Sequence, residues 1–231
     1  MRKIIFLFKS KSSLKIIFIF LINKIKNIFY KKKIIYSKRN HQNFIIDKNI
    51  TTDYFSSHSF NFLLYLKKLK HNFNYLEIGS YEGNSAIFVA KNFSEAKVYC
   101  IDNWNKTNEY LNHKDFLDIE NNFDKNVKNF QNIHKLKKSS DLFFSQNIQN
   151  FDVIYIDGYH YGSQVYKDCE NAWRFLNNDG YLICDDFIWN FYENIKDNPC
   201  YAINMFLREI KGQYKIKKIS NSQIFVKKIS S

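Results

Sequence analysis

The sequence predicts an α/β protein built on a doubly wound, mostly parallel sheet of seven strands with a C-terminal antiparallel hairpin. Three observations predict this fold. Short apolar strands alternate with helical patterns from about Asp53 onward, four of the strands are followed at once by Gly or Asp, and the chain ends in two strands joined by a Ser-Asn turn. A chain of 231 residues is long enough for one such domain with a substantial core.

The first half of the pattern places three strands and three helices in alternation. Phe60–Leu69 carries apolar residues at helical spacing, and Asn74–Ile78 is a short apolar strand that ends at a glycine. The elements that follow are a helix at Ser85–Lys91, a strand at Lys97–Ile101, a helix at Phe116–Phe130 and a weaker strand at Ile133–Lys137.

The second half repeats the alternation and then closes the sheet. Phe151–Ile156 is a strong apolar strand, and Ser163–Leu176 places Val165, Cys169, Ala172, Trp173 and Leu176 along one helical face. The elements that follow are a turn at Asn178-Asp179-Gly180, a strand at Tyr181–Cys184, a helix at Ala202–Ile210, and a hairpin of Tyr214–Ile219 and Gln223–Lys227.

The positive charge is concentrated at the N-terminus. Residues 1–40 hold 12 Lys and Arg and no acidic residue, whereas residues 41–231 hold 23 basic and all 22 acidic residues. We therefore divide the chain into a basic, apolar N-terminal arm at 1–40 and a folded domain at 41–231. Because the domain itself is nearly neutral, we expect no nucleic-acid partner, which would need a basic face on the folded body.

Two interpretations of the arm stay open. Its longest uncharged apolar run, Ile16–Ile22, is too short to span a bilayer, and no signal-peptide cleavage site follows it. Lys and Arg interleaved with Ile, Phe and Leu over residues 1–36 suit peripheral contact with an anionic membrane surface. The alternative is a loosely packed leader, or an upstream start codon chosen wrongly.

The cysteine pattern predicts a reducing compartment. Cys100, Cys169, Cys184 and Cys200 form no CxxC motif and no zinc-type cluster, so we expect buried thiols in a cytoplasmic protein. Any membrane contact would then be peripheral, at the inner face. The oligomeric state is left open.

The loop after the first strand and the acid after the second indicate a nucleoside-containing cofactor. Gly79 and Gly83 let the backbone approach a ligand, and the amides at the start of the following helix can donate to it. Asp102 ends the next strand, where a carboxylate can accept hydrogen bonds from both ribose hydroxyls. An ordinary tight turn and an ordinary helix cap remain the alternatives for these features. The loop lacks GxGxxG, which disfavours an NAD-dependent oxidoreductase.

The segments YLEIGSYEGNSA and VYCIDNW resemble the first two motifs of class I S-adenosylmethionine-dependent methyltransferases, which have a Rossmann-like fold. The segment IDGYHYGSQVYKDCENAWRFLNNDGYLICDDF resembles a bacterial subgroup of metal-dependent macrocin-type and sugar O-methyltransferases and cephalosporin-hydroxylase-like proteins. The resemblance runs from about residue 70 to the C-terminus and does not cover the arm. It implies S-adenosyl-L-methionine and Mg²⁺ as cofactors.

The resemblance also implies residue roles in cofactor binding. Glu77 would meet the methionine amino group, Asp102 the ribose, and Trp104 would flank the ribose. The Asp-Ser pair that the family carries near the adenine is replaced here by Ser139-Ser140, which leaves the adenine contacts open. The full set of implied cofactor-binding positions is Glu77, Gly79, Ser80, Gly83, Asp102, Trp104, Ser139, Ser140 and Asp157.

Three carboxylates and a histidine point to the chemistry. An alcohol is a poor nucleophile at neutral pH, and a divalent cation held by hard oxygen ligands lowers the pKa of its hydroxyl. Asp157, Asp185 and Asp186 follow two strands of the predicted sheet and, through the resemblance, are the expected Mg²⁺ ligands. His160 lies three residues after Asp157 and is the expected general base. The alternatives are a helix-cap role for the Asp pair and an ordinary loop histidine.

These observations lead to one main function and two alternatives. The main hypothesis is an O-methyltransferase that uses Mg²⁺ and methylates a hydroxyl of a sugar or another small-molecule or glycan acceptor. The alternatives are a metal-independent methyltransferase of the same fold and a non-catalytic, cofactor-binding module at the membrane. Acceptor choice is expected to depend on the loops at residues 103–115 and 187–200.

Overall fold

The computed structural model describes residues 2–105 and 118–229, and within them it confirms the predicted fold class. Seven strands form one mixed sheet in the order β3-β2-β1-β4-β5-β7-β6. The strands are β1 (Asn74–Ile78), β2 (Lys97–Asp102), β3 (Ile133–Lys137), β4 (Phe151–Ile156), β5 (Leu176–Cys184), β6 (Tyr214–Ile219) and β7 (Ile224–Lys228).

Nine α-helices occur in the described part of the chain. They are α1 (Arg2–Lys9), α2 (Leu14–Phe29), α3 (Lys31–Ile45), α4 (Ser59–Leu66), α5 (Asn84–Asn92), α6 (Ile119–Val127), α7 (Ser140–Gln146), α8 (Gly162–Phe175) and α9 (Pro199–Glu209). Short 3-10 turns add Ser56–His58 and Ile195–Asp197.

The chain divides into two compact units, of which the first contains residues 29–140. Its strands β1, β2 and β3 pair in parallel, with Glu77 opposite Cys100 and Ile101 opposite Leu136. β1 is apolar and mostly buried, as parallel strands covered on both faces are, whereas β3 at the edge of the sheet contains no buried residue. The carboxyl ends of the three strands meet at one edge, which places the loops after β1 and β2 side by side.

The second unit contains residues 1–28 and 141–231. Strands β4 and β5 pair in parallel, and β7 pairs antiparallel with both β5 and β6, so the predicted C-terminal hairpin is present. Buried side chains such as Ile154, Leu182 and Phe225 fill the interior of this part of the sheet.

Residues 2–28 form helix α1 and most of helix α2, which are packed within this second unit. The side-chain amide of Asn204 in α9 donates to Ser10 O at 3.0 Å and to Ser12 Oγ at 2.8 Å. Arg208 donates to Lys11 O at 2.7 Å, and Lys218 Nζ to Asn27 Oδ1 at 2.7 Å. These contacts hold the first part of the arm in a defined position against α9 and β6. The domain boundary at residue 40 stays a prediction.

No helix in the described ranges is long and apolar enough to cross a membrane. The four cysteines are free and buried, and the sulfurs of Cys169 and Cys184 lie 3.8 Å apart, too far for a disulfide.

Strand β5 and helix α7 are among the elements that differ from the sequence prediction. Strand β5 begins at Leu176, not at Tyr181, and the expected turn at 178–180 is an irregularity inside it, with Asp179 at φ 65° and a shifted register opposite β4. Helix α7 was not predicted, because seven residues of mixed polarity carry too little periodicity.

Candidate functional site

The loop between β1 and α5 has the tight backbone that its glycines predict. Gly79 and Gly83 adopt φ 84° and 80°, and Tyr81 between them adopts φ 48°, a conformation that costs a non-glycine residue some strain. The Gly83 N–H donates to Ser80 O at 2.7 Å, and Gly83 caps α5. The first amides of α5 therefore lie at the sheet edge, available to a polar ligand.

Glu77 is a buried carboxylate at the end of β1, with its side chain 0% exposed. Tyr75, two residues earlier on the same face of the strand, donates to Glu77 Oε2 at 3.0 Å. Among the described residues, none donates to Glu77 Oε1 with normal geometry. Burial raises the pKa of Glu77 to about 7, although nearby hydroxyls oppose the shift. An ammonium group beside it would satisfy the buried oxygen and the charge together.

Asp102 ends β2 and organises the neighbouring loop through both of its carboxylate oxygens. Tyr81 N donates to Oδ2 at 2.9 Å, and Trp104 N donates to Oδ1 at 2.7 Å. Burial raises the pKa of Asp102, while these backbone donors oppose the increase. Each carboxylate oxygen can accept a second hydrogen bond, so the geometry is compatible with two vicinal hydroxyls.

The predicted cofactor-binding residues from 77 to 140 lie within one compact unit. Trp104 is held in place because its indole donates to Tyr81 O at 2.9 Å and its ring packs against Phe123. Ser139 and Ser140 follow β3, next to the end of β2, since Lys138 N donates to Asp102 O. The remaining implied position, Asp157, lies in the other unit.

Asp157, His160 and Asp186 come together at the carboxyl ends of β4 and β5. His160 Nε2 lies 2.8 Å from Asp186 Oδ2 and 3.7 Å from Asp157 Oδ1. Asp186 adopts φ 51°, a strained backbone conformation of the kind found at functional sites. Burial, followed by the repulsion of Asp185, raises the pKa of Asp157. Ionised carboxylates this close together repel one another, and a bound cation would reduce that repulsion.

Asp185 has a different environment from the other two carboxylates. Its Oδ2 accepts from Tyr155 at 2.5 Å and from Gln223 at 2.7 Å, and its Oδ1 accepts from Asp186 N at 2.8 Å. Asp185 was expected to be a metal ligand on the same footing as its neighbours. Within the described ranges, the three residues with potential ligand atoms within 4.8 Å of one another are Asp157, His160 and Asp186. Metal binding by Asp185 stays a prediction.

Tyr155 and Gln223 were missed in the sequence. Tyr155 is 1% exposed, and its hydroxyl also lies 2.8 Å from Asp157 Oδ2, so it bridges two carboxylates. A signal for Tyr155 was available, because it lies two residues before Asp157 and so on the same face of β4. Gln223 gave no such signal, since it reaches the site from the start of the C-terminal hairpin strand.

Aromatic rings surround His160. The Trp189 ring centroid lies 4.9 Å from that of His160, and Phe191 stacks on Trp189 at 4.8 Å with the ring planes 4° apart. Tyr192 contacts both Trp189 and Tyr161 edge-on. Phe191 is 60% exposed, so part of this wall is open to a ligand. Phe191 belongs to the expected acceptor loop 187–200. The other expected loop, 103–115, lies outside the described residues from position 106 onward.

Comparisons with known proteins show what the domain is similar to. Residues 76–187 match a family model described as a methyltransferase domain. Among curated proteins, no sequence matches the chain significantly.

Solved structures support the fold. A protein assigned as an O-methyltransferase from Klebsiella pneumoniae shares 11% identity, with a TM-score of 0.57 over 92% of this chain and 98% of that chain. One assigned as a caffeoyl-CoA O-methyltransferase from Staphylococcus aureus shares 16%, with a TM-score of 0.56 over 90% and 99%. The MycE methyltransferase of the mycinamycin pathway, solved with Mg, SAH and mycinamycin VI, shares 10%, with a TM-score of 0.59 over 84% and 54%.

Proposed function

We propose that this chain, a class I S-adenosylmethionine-dependent methyltransferase, methylates a hydroxyl of a sugar or another small-molecule or glycan acceptor with the help of Mg²⁺. The observation that carries the proposal is the arrangement of His160 between two carboxylates, 2.8 Å from Asp186 and 3.7 Å from Asp157. A base and hard oxygen ligands at one point are what an alcohol needs to become a nucleophile.

Glu77, Asp102 and the loop from Gly79 to Gly83 would hold the methyl donor. Glu77 would pair with the ammonium of its methionine part, which matches the buried, unsatisfied Oε1. Asp102 would accept from its ribose hydroxyls, since each oxygen retains acceptor capacity beyond its backbone donor. When bound, the donor supplies a sulfonium methyl whose S–C bond breaks as the new O–C bond forms.

Asp157 and Asp186 would hold the metal through carboxylate oxygens, the ligands that Mg²⁺ prefers. Bound there, Mg²⁺ would lower the pKa of the acceptor hydroxyl and fix its position. Tyr155 and Gln223 hold Asp185 by hydrogen bonds at 2.5 and 2.7 Å, so Asp185 would orient the site from behind.

His160 would take the proton of the acceptor hydroxyl at Nδ1, since its Nε2 faces Asp186. Its contact with Asp186 fixes the ring orientation, and the resulting imidazolium would be stabilised by the same carboxylate. Trp189 and Phe191 beside it offer flat apolar surfaces against which the face of a sugar ring can lie.

We place the reaction in the cytoplasm. The four free, buried cysteines fit a reducing compartment. The MycE structure, which contains Mg and a macrolide, supports the metal and the type of acceptor by analogy of fold alone.

A metal-independent methyltransferase of the same fold is the second candidate. It is favoured by the direct His160–Asp186 contact, which orients the base without any cation. A non-catalytic cofactor-binding module would instead bind the methyl donor without turnover.

Transfer of a labelled methyl group to cell-envelope glycan and lipid fractions tests these options. We expect incorporation that EDTA abolishes, that added Mg²⁺ restores, and that H160Q and D186N each reduce by about 10²–10⁴-fold. Incorporation unchanged by EDTA, but lost in H160Q, would establish the metal-independent enzyme. Donor binding without transfer to any fraction would contradict both enzyme hypotheses.

A further inference from the structure

Helix α2 presents an apolar stripe to solvent. We define the α2 stripe as Leu14, Phe18, Leu21, Ile25 and Ile28, which recur at alternating spacings of four and three residues. At 100° per residue they cover one side of the helix, and each is between 40% and 75% exposed. Scattered exposed apolar residues are ordinary, but five in one row form a continuous surface.

The opposite side of α2 is fixed within its own unit. Ile16, Phe20 and Asn23 are buried, and Asn27 accepts from Lys218 Nζ at 2.7 Å. The turn before the helix is held by Asn204 and Arg208 of α9. The helix therefore cannot rotate to bury the α2 stripe, which stays on the surface.

Lysines border the stripe on both sides. The helical spacing places Lys15 and Lys26 along one border and Lys24 along the other, and α2 contains no acidic residue. Residues 1–40 as a whole carry 12 basic residues and no acid. A second copy of the helix would bring like charge to like charge, whereas an anionic lipid surface matches both the apolar stripe and its basic borders.

We propose that α2 docks on the surface of an anionic lipid bilayer, lying in the plane of the interface with the α2 stripe inserted among the lipids. The helix has 16 residues and three lysines, so it lies on the bilayer and does not cross it. This inference does not depend on the methyl-transfer reaction, and it decides between the two interpretations of the arm.

Co-sedimentation of the full chain with vesicles tests the proposal. We expect binding to vesicles of equal parts phosphatidylcholine and phosphatidylglycerol, and weak binding to phosphatidylcholine alone. The double variant F18S/I25S should lower the partition coefficient at least about tenfold, because two apolar anchors are lost. The control I148S removes an isoleucine that is 98% exposed outside the stripe, and it should bind like the wild type.

Two triple variants distinguish the effect of the lysines that border the stripe from the effect of net charge. K15E/K24E/K26E should abolish the preference for anionic vesicles, whereas K67E/K68E/K70E, with the same change of net charge, should retain it. Melting temperatures identical to the wild type show that the variants fold. The proposal is overturned if F18S/I25S and I148S bind vesicles equally, or if F18S/I25S converts a dimer to a monomer without changing vesicle binding.

Discussion

A single buried hydroxyl lies between two carboxylates of the candidate site. Tyr155 Oη is 2.8 Å from Asp157 and 2.5 Å from Asp185, and it carries one proton for both. Hydrogen-bond partners behind metal ligands fix the ligands' orientation, and their loss typically lowers metal affinity or activity by about 10–100-fold.

We therefore expect Y155F to raise the Mg²⁺ concentration needed for half-maximal activity by about 10–100-fold. The matched control is Y181F, since Tyr181 is also a buried strand tyrosine but lies beside Asp179 and Lys227. Titration of activity with Mg²⁺ measures the effect. Equal half-maximal concentrations in Y155F and Y181F would show that the bridge does not support a metal site.

Glu77 gives the cofactor-free protein a pH-dependent stability. Its pKa is raised from 4.5 to about 7 in the folded state, so the folded state holds this proton more tightly than the unfolded chain. The contribution is fully present below pH 4.5 and is lost as the pH rises through about 7. Replacement by a neutral glutamine removes this loss.

E77Q should accordingly be more stable than the wild type at pH 8, by up to about 3 kcal/mol, while the two converge near pH 4.5. The same variant should bind S-adenosylmethionine about 10–100-fold more weakly, because a charge-assisted contact is lost. Thermal unfolding across pH and calorimetric titration measure the two effects, with the exposed E95Q as control. A variant that loses stability at pH 8 would contradict the assigned burial penalty.

Most of the candidate site follows from where strands end. Asp102, Asp157 and Asp186 could be predicted because each lies at the end of an apolar strand, where ligands bind to parallel sheets, and Glu77 was indicated by the family resemblance. The hydrogen bond from Gln223 to Asp185 could not be predicted, since the two residues lie 38 positions apart in the chain. The side-chain directions of two adjacent aspartates are set by such distant partners, and no local pattern records them.

At the scale of elements, the N-cap of helix α5 is a glycine for two reasons, its backbone conformation and the close packing around it. Gly83 has φ 80°, and a Cβ there would lie 3.0 Å from the Phe123 ring and 3.3 Å from Val127. Gly212 has φ 94° but would meet no atom within 4 Å. Both positions therefore have a left-handed backbone that would strain any other residue, but only Gly83 is also closely packed.

We expect G212A to cost about 1–2 kcal/mol of unfolding free energy, from left-handed strain alone. G83A should cost about 1–3 kcal/mol more, from overpacking against Phe123, and should also weaken S-adenosylmethionine binding. Urea unfolding and calorimetric titration measure both. Equal costs for the two variants would mean that the Phe123 contact relaxes freely.

Strands were easier to predict than the N-terminal helices, for a physical reason. Strands such as β1 and β4 are short, mostly apolar runs bounded by polar residues, which marks their ends. In α2 nearly every position from Ile16 to Ile22 is apolar, so composition cannot tell the buried Phe20 from the exposed Phe18. The buried side of α2 is set by its contacts with residues far along the chain, such as Lys218, and these contacts cannot be read from the local sequence.

At the scale of the whole molecule, the acidic groups that matter form a small, dense cluster in an otherwise basic protein. The chain has a formal net charge of +13, yet Asp157, Asp185 and Asp186 gather at adjacent strand ends. Their mutual repulsion destabilises the metal-free fold, and a bound cation would return that free energy to the whole domain.

Mg²⁺ should therefore raise the melting temperature of the full chain. At a concentration about a hundredfold above the dissociation constant, binding adds about 2.7 kcal/mol, or about 5–10 °C for a chain of this size. The double variant D157N/D186N should melt higher than the wild type without metal and should lose the response. D47N, an exposed aspartate outside the cluster, should keep it, and NaCl at matched ionic strength should not reproduce it. If D157N/D186N responds to Mg²⁺ as the wild type does, the stabilisation arises from general screening, and the cluster holds no metal.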